Sequence, residues 1–407
     1  MKRLIYFLFF SGISALLPAQ VVDTIDVPVR QEIDIQSLPY YNFGKGVGLT
    51  SPDSLFQFNI RFRIQSRFDT NIPDDDEMNY SAMVRRLRLR FDGFVGDPRF
   101  LYVVQLSFAP GDVGPLEPQG DINIIRDAMV FYQPNKHWSF GFGQTKLPGN
   151  RQRVNSSGAL QMTDRSINNA IFNIDRDFGF QGHYLANNPD NFSYNVKLAL
   201  STGEGRNFTR LQDNGLAYTG RLELFPLGTF TRGGEFFEGD LMREPTPKVY
   251  LGATLHHNQN AMRSAGQLGS LLYEQRDLNS LLIDGMLKYN GWSYMASYMQ
   301  RTVGDPVTVD PLTGNTRYVY SGHGIDQQLS YITRNSWEMI GRYSYQNPSD
   351  AIKHLAPLHQ QVSIGLTKYI WEHAFKAQLE VTRNFREYVE GLENNDWYIR
   401  FQIEMGI

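Results

Sequence analysis

The stretch "VRRLRLRFDG" (residues 84–93) places four arginines within seven positions and separates them with leucine and phenylalanine. At a period of two residues it divides into an apolar and a cationic face, Leu87, Leu89 and Phe91 against Arg86, Arg88 and Arg90. Such alternation indicates a β-strand whose two sides have different surroundings. Arginines are costly where a strand meets lipid, so the pattern predicts that these arginines face water.

The same alternation recurs along the chain and is strict in residues 56–67 and 395–407. We count about sixteen such segments, each close to the ~10 residues of a membrane-spanning barrel strand. The predicted strands lie near residues 55–68, 81–92, 99–109, 122–133, 136–146, 177–186, 191–201, 216–226, 248–258, 278–289, 291–301, 320–333, 335–346, 359–369, 373–385 and 395–407. Short turns and long loops alternate between them, as in outer-membrane barrels. The connection 227–247 departs from this rule, because it is long but falls on the short-turn side.

These features predict an all-β fold, a transmembrane antiparallel β-barrel of about 16 strands that occupies residues 55–407. The competing fold is a soluble sandwich or propeller. Strands in such folds are usually shorter, ~5–6 residues, and no blade-length repeat is visible in the chain.

The first residues predict export. Lys2 and Arg3 precede an apolar run at residues 4–17, and Ala19 ends a cleavage-site pattern. The run is shorter than the ~20 residues that cross a bilayer as a helix. We therefore predict a signal peptide at residues 1–19 and an N-terminal periplasmic lead-in at residues 20–54.

Composition and motifs argue against several functions. The formal net charge of −3 disfavours a nucleic-acid binder, and a chain without cysteine has no disulfide or thiolate metal site. No nucleophile elbow or zinc-protease motif occurs, and the adjacent His256 and His257 point to opposite faces of a strand. We predict no enzyme activity, no cofactor and no metal site.

Five stretches are similar, in order and spacing, to those of a known family: "FGKGVGLTSPDSLFQFNIRFRIQSRFD" (43–69), "MVRRLRLRFDGFVGDPRFLYVVQLSF" (83–108), "FGFGQTKLPGNRQRVNSSGALQMTDRS" (140–166), "DRDFGFQGHY" (175–184) and "EFFEGDL" (235–241). The chain thereby resembles the phosphate-selective porins O and P of Gram-negative bacteria over essentially its whole mature length. The resemblance implies a homotrimeric, anion-preferring channel in the outer membrane. It also implies a third external loop that folds inward and constricts the pore, a position that residues 147–176 take here. The mildly acidic net charge departs from the family's pattern.

Arginines make up most of the candidate site. The polar faces of the first two strands carry the predicted pore-lining, anion-binding residues, Arg61, Arg63, Arg67, Arg86, Arg88 and Arg90. The presumed constriction loop and its edge add Lys146, Arg151, Arg153 and Arg165. A guanidinium offers paired donors to phosphate or carboxylate oxygens, and a row of similar sites passes an ion along. Arg85 has the lipid-facing parity and is expected at the rim.

The sequence therefore predicts an outer-membrane porin for passive diffusion of small anions, phosphate or similar, through an arginine-lined lumen. Two alternatives stay open. The arginines of a general pore would be balanced by carboxylates such as Asp69, Asp92 and Glu404. A plugged barrel would have a structural or adhesive role through its external loops. The expected partners are small anions and outer-membrane lipid, with no nucleic acid.

Overall fold

The structure, a computed structural model, describes residues 46–113, 124–207, 215–389 and 391–407. The predicted signal peptide (1–19) and residues 20–45 of the predicted lead-in lie outside the described residues. The strands among the described residues are β1 Val47–Thr50, β2 Phe56–Pro73, β3 Asn79–Val95, β4 Asp97–Ser107, β5 Ile125–Tyr132, β6 Trp138–Lys146, β7 Arg176–Ala186, β8 Ser193–Ser201, β9 Ala217–Phe225, β10 Lys248–Arg263, β11 Leu271–Tyr289, β12 Trp292–Thr302, β13 Val307–Val309, β14 Thr316–Tyr318, β15 Gly322–Ile332, β16 Trp337–Pro348, β17 Leu358–Trp371, β18 Phe375–Glu387 and β19 Asp396–Gly406. The helices are α1 Pro110–Val113, α2 Arg151–Val154 and α3 Ile167–Phe172, with 3-10 turns at Ser157–Ala159 and Thr231–Phe236.

Sixteen of these strands, β2–β12 and β15–β19, form one closed antiparallel sheet. Each pairs with its neighbour in chain order, and β19 pairs with β2 to close the ring, for example through Phe401 opposite Phe68. The predicted β-barrel of about 16 strands is thus confirmed, and every predicted strand overlaps an observed one. The short β1 pairs with β2 beyond the end of β19, so it covers the part of the β2 edge that β19 leaves open.

The barrel is apolar outside and polar inside. Leu198, Leu255 and Ile364 on the outer face are 58%, 68% and 68% exposed, whereas the inward side chains of Lys197 and Glu338 are buried. Water-soluble proteins show the reverse arrangement. An exposed apolar surface of this extent fits a wall in contact with lipid.

The helices of the described residues are all short. None of them is long and apolar enough to cross a membrane.

Tight turns join the strands at one end of the barrel. Between β11 and β12 the chain reverses at Asn290 and Gly291, both with positive φ (47° and 91°). Two left-handed residues make the two-residue turn whose twist matches that of the flanking strands. A short turn thus joins the two strands predicted near residues 278–289 and 291–301.

The predicted facing of Arg85 is wrong. The side chain points into the lumen, where it binds Asp164 at 3.0 Å. The cause is a β-bulge, because Gln65 pairs with Arg86 and Ser66 with Val84, so the register skips Arg85. A bulge adds one residue to a strand and redirects its side chains. Arg85 and Arg86 consequently both face the interior.

Two connections fold into the barrel from opposite ends. Residues 147–175, here called the long internal segment, join β6 to β7 at the end with long loops. Residues 226–247, here called the turn-side segment, join β9 to β10 at the end with short turns. They meet inside, where the Glu238 amide donates to the Ala159 carbonyl (3.2 Å) and the Gln161 amide donates to Glu238 Oε2 (3.0 Å).

Part of the barrel interior is a hydrophobic core. Leu147, Phe172 and Ile174 of the long internal segment pack against Leu282 and Met299 of β11 and β12. A second cluster fixes the turn-side segment to the wall with Phe225, Phe230, Tyr250 and Met286. This packed part of the lumen lies along β9–β12, across the ring from the arginines of β2 and β3.

Candidate functional site

Two neighbouring strands bring the predicted pore-lining arginines together. In the β2–β3 register, Arg61 lies opposite Arg90 and Arg63 lies opposite Arg88. The inner faces of these strands carry all six predicted residues, Arg61, Arg63, Arg67, Arg86, Arg88 and Arg90. Like charges directly across a strand pair repel, so such an arrangement calls for counter-ions nearby.

Carboxylates supply those counter-ions. The ion pairs are Arg61 and Arg90 with Asp92, Arg88 and Arg126 with Asp112, Arg67, Arg85 and Arg86 with Asp164, Arg67 and Arg400 with Asp69, and Arg63 with Glu404. We call these nine arginines the arginine wall. Five carboxylates offset part of its charge and leave a formal excess of four positive charges on the arginine wall. The three carboxylates named for the general-pore alternative, Asp69, Asp92 and Glu404, are among them.

Asp112 is a fixed negative charge within the arginine wall. The short helix α1 carries it into the lumen, where Ser107 Oγ also donates to it (2.8 Å). Burial raises the pKa of its carboxyl, but Arg88 and Arg126 outweigh burial and hold that pKa below its usual range. Asp112 therefore remains ionised beside these arginines at neutral pH.

Two neighbouring cavities follow the arginine wall. The larger, here called the vestibule, has a volume of about 760 Å³. Its lining includes five aspartates and nine arginines, Arg85, Arg86, Arg88, Arg126, Arg153, Arg165, Arg206, Arg386 and Arg400. The smaller, of about 50 Å³, is lined by Arg61, Arg63, Arg88 and Arg90 together with Ser156 and Gly158 of the long internal segment. Because Arg88 lines both cavities, a series of guanidiniums leads from one to the other.

Two of the predicted loop residues, Arg153 and Arg165, line the vestibule. Arg153 binds Asp175 at 2.6 Å. Arg165 donates to the main-chain carbonyls of Gln152 (2.7 Å) and Asn155 (2.9 Å). No carboxylate among the described residues forms an ion pair with Arg165, so its guanidinium adds positive charge to the vestibule.

The other two, Lys146 and Arg151, are buried and line neither of the two described cavities. Lys146 Nζ donates to the carbonyls of Val154 (2.8 Å) and Asn155 (3.0 Å). Arg151 binds Glu223 of β9 at 2.7 Å. These contacts attach the long internal segment to the barrel wall.

The strands on the β19 side of the arginine wall also hold the long internal segment. The amide and hydroxyl of Thr163 donate to Glu380 of β18 at 3.0 and 2.6 Å. Ser166 Oγ donates to Asp326 of β15 at 2.8 Å. The segment thus contacts β15 and β18 as well as the arginine wall.

Besides Arg85, sequence reasoning missed four other arginines that line the vestibule. Arg386 and Arg400 have the inward parity of β18 and β19, so the alternation already signals their facing. Arg126 has the outward parity of β5 and turns inward because the β4–β5 register skips it, as at Arg85. Arg206 lies in the connection after β8, where alternation gives no signal.

The fold and the polar interior define the class of the protein. A closed 16-stranded barrel with an apolar outer wall and segments folded into its lumen is the architecture of a porin. Residues 58–233 match the model of one porin family, phosphate-selective porin O and P, which confirms the resemblance over those residues. No curated protein matches the chain in a comparison of sequences.

Solved porin structures are similar over most of the chain. The outer-membrane channel DcaP of Acinetobacter baumannii is 13% identical, with a TM-score of 0.55, over 89% of this chain and 100% of that chain. OmpF of Salmonella typhi, in complex with daunomycin, is 12% identical, with a TM-score of 0.53, over 88% and 100% of the two chains. An anion-selective porin from Comamonas acidovorans is 10% identical, with a TM-score of 0.51, over 86% and 100%. At these identities the likeness shows a shared fold.

Proposed function

We propose that the chain is a porin in the outer membrane of a Gram-negative bacterium, and that small anions, phosphate or similar, diffuse passively through its arginine-lined lumen. The observation that carries this proposal is the pair of neighbouring cavities along the arginine wall. In the larger one, nine arginines outnumber five aspartates. The anion-selective porin from Comamonas acidovorans shares the fold, which agrees with such a role.

The charges suggest how an anion moves. An excess of positive charge within low-dielectric walls raises the local concentration of anions. Guanidiniums bind phosphate and carboxylate oxygens through paired, charge-assisted hydrogen bonds. The wall arginines already have carboxylate partners. An entering anion therefore has to replace a carboxylate at each arginine, and it is held weakly at several successive sites. Binding of this kind allows an ion to enter and also to leave.

The long internal segment is the proposed constriction. Arg63 donates to the hydroxyls of Ser156 (3.1 Å) and Ser157 (2.6 Å), and Arg88 also donates to Ser157 (3.0 Å). These contacts join the segment to the arginine wall beside the smaller cavity. In this proposal the anion passes there, while Arg153 and Arg165 attract it into the vestibule.

The setting of the channel is part of the same proposal. Residues 1–19 direct export, outer-membrane lipid surrounds the apolar outer wall, and three copies assemble as a homotrimer. The match to the porin family and the exposed apolar wall support the outer-membrane setting. The protein acts as a channel rather than an enzyme.

Single-channel recordings in planar bilayers test the proposal. In a potassium chloride gradient, the reversal potential of the wild-type protein is expected to have the sign of an anion-preferring pore. The combined variant Arg86→Ala, Arg88→Ala, Arg90→Ala is expected to lower that preference, because it removes three charges of the arginine wall.

A matched control removes three cations from exposed positions, Arg99→Ala, Lys136→Ala and Lys353→Ala, with the same change in net charge. This control should keep the wild-type reversal potential. A cation-selective or non-conducting wild type would overturn the proposal, and the second result would favour the plugged, adhesive barrel. Equal shifts in both triple variants would reject the arginine wall as the selective element.

A further inference from the structure

Asp164 of the long internal segment lies at a point where three guanidiniums converge. Arg67 Nη1 and Arg85 Nη2 each contact Asp164 Oδ2 at 3.0 Å, and Arg86 Nη2 contacts Asp164 Oδ1 at 3.0 Å. The bulge in β3 creates this arrangement, because it directs both Arg85 and Arg86 inward. Three cations surround one carboxylate, which is more positive charge than a structural ion pair requires.

The contact lies on the wall of the vestibule, within reach of solvent. Asp164, Arg85 and Arg86 all line that cavity. The side chains of Asp164 and Arg85 are 24% and 21% exposed, whereas that of Arg86 is 3% exposed. Burial raises the pKa of the Asp164 carboxyl, but Arg86, Arg85, Arg67 and Arg400 together hold that pKa well below its usual range. The carboxylate is therefore ionised, and it occupies an anion site that faces the vestibule.

The backbone around Asp164 is held in place without its carboxylate. Arg342 Nη1 donates to the Asp164 carbonyl at 2.9 Å. The neighbouring Thr163 is bound by Glu380, and Ser166 by Asp326, as described above. Loss of the charge at Asp164 consequently leaves the long internal segment attached to the wall.

We infer that Asp164 is a tethered competitor for the permeating anion at a carboxylate- or phosphate-binding site formed by Arg67, Arg85 and Arg86. This inference rests on the proposed function. The carboxylate of Asp164 presents the same pair of oxygens to the guanidiniums as a free carboxylate or phosphate does. Because it is attached to the chain, its effective concentration at the site is in the millimolar range or above. A free anion must displace it, so Asp164 keeps the site weak and the pore conducting.

The test measures block of the chloride current by inorganic phosphate in planar bilayers. Asp164→Asn removes the competing charge and keeps the side-chain shape. The phosphate concentration that halves the chloride current is expected to fall by roughly tenfold or more, because the tethered competitor is gone. The reversal potential is also expected to shift further toward anions.

Two controls accompany this variant. Asp164→Glu retains a carboxylate and should resemble the wild type. Asp75→Asn makes the same change in net charge on an exposed loop and should leave both readouts unchanged. Heat-modifiable migration on gels checks that each barrel is folded. If Asp164→Asn does not fold, Asp164→Ser replaces it, and the same stronger phosphate block is expected.

Equal phosphate block in Asp164→Asn and Asp75→Asn, or weaker block in Asp164→Asn, would overturn the inference. A cation-selective wild type overturns the proposed function by itself. The inference is then decided by the reversal potential alone: Asp164→Asn must shift it toward anions relative to Asp75→Asn, and no such shift refutes it.

Discussion

Buried lysines hold the internal segments by their main-chain carbonyls. Lys288 Nζ donates to the carbonyls of Gly234 (2.7 Å), Phe237 (2.9 Å) and Gly239 (2.7 Å). An ammonium group has three donors, and this one uses all of them on the turn-side segment. Lys146 holds the long internal segment in the same way. Lys288 and Lys146 thus hold the internal segments in place.

Replacement of Lys288 by methionine is expected to release the turn-side segment. Three buried carbonyls lose a charged donor, which lowers the local stability of the segment by at least ~2 kcal/mol. Trypsin cleavage at Arg232 and Arg243 of the folded barrel should become faster. Lys248→Met is the control, since Lys248 also donates to two carbonyls but at an exposed position where water replaces it. Equal cleavage of both variants would contradict this role.

Glu235 of the turn-side segment adds a pH dependence. Burial raises the pKa of its carboxyl to about 7, against an ordinary value of 4.5, although Arg151 and Lys288 oppose the shift and Glu223 adds to it. Between these two values the folded segment binds a proton that the unfolded segment has lost. Its stability therefore falls as pH rises through this range.

We expect the segment's amides to be better protected from hydrogen exchange at about pH 5 than at about pH 8, after correction for the intrinsic rate, by on the order of 1–3 kcal/mol. Glu235→Gln should remove this difference because glutamine does not ionise. If Glu235→Gln keeps the full pH dependence, a group other than Glu235 is responsible for it.

For single residues, the sequence predicts whether most arginines face the lumen or the lipid, but it fails for Arg85 and Arg126. Parity is a reliable signal only while the strand register is regular. A single skipped residue in the pairing of β3 or β5 reverses the facing, and nothing in one sequence marks where the bulge falls. The partners of Lys146 and Arg151 were equally hidden, because they depend on how the long internal segment folds.

Among the elements, the strands were predictable from alternation and the inward fold of the long internal segment from the family resemblance, whereas the turn-side segment was not predictable. The barrel strands were located by a two-residue alternation, which bulges interrupt in β3 and β5. The turn-side segment, residues 226–247, is long at the end of short turns because it fills the barrel and meets the long internal segment. The turn-side segment contacts residues that are far from it in the chain, so no local sequence pattern predicts these contacts.

The long internal segment comes so close to the arginine wall at Gly158 that a side chain has no room. A Cβ atom there would lie 2.5 Å from Arg63 Nη1 and 2.7 Å from Glu404 Oε1. Gly158→Ala is therefore expected to displace Arg63 into the smaller cavity and to reduce the single-channel conductance.

The same substitution at Gly341 provides the comparison, since a Cβ atom on that residue of the outer wall meets nothing within 4 Å. Gly341→Ala should conduct like the wild type. Unchanged conductance in Gly158→Ala would place the narrowest part of the pore elsewhere.

In the whole molecule, the lumen is divided between a packed half and a polar half. The packed half has the close contacts of a protein core, whereas the polar half contains the arginine wall and both cavities. Stability and selectivity should therefore depend on different sides of one barrel. Sequence alone shows the inward parity of Leu282 and Met299 but gives no reason for apolar side chains in a lumen.

Leu282→Ala is expected to lower the free energy of unfolding by ~2–5 kcal/mol, because it opens a cavity at a fully buried position. The reversal potential should stay at the wild-type value. Leu329→Ala on the outer wall, where the side chain is 49% exposed, should cost less. Urea unfolding in lipid vesicles measures the first effect and bilayer recordings the second. A change in selectivity with Leu282→Ala would show that the two halves are coupled.

The meeting of the two internal segments also has a mechanical consequence. Each is anchored to the wall, and the hydrogen bonds between Glu238, Ala159 and Gln161 join them inside the ring. We expect the two joined segments to brace the barrel from inside and to resist flattening of its cross-section under lateral pressure of the bilayer. A braced ring of this kind keeps one width, and its current should remain steady when membrane tension changes.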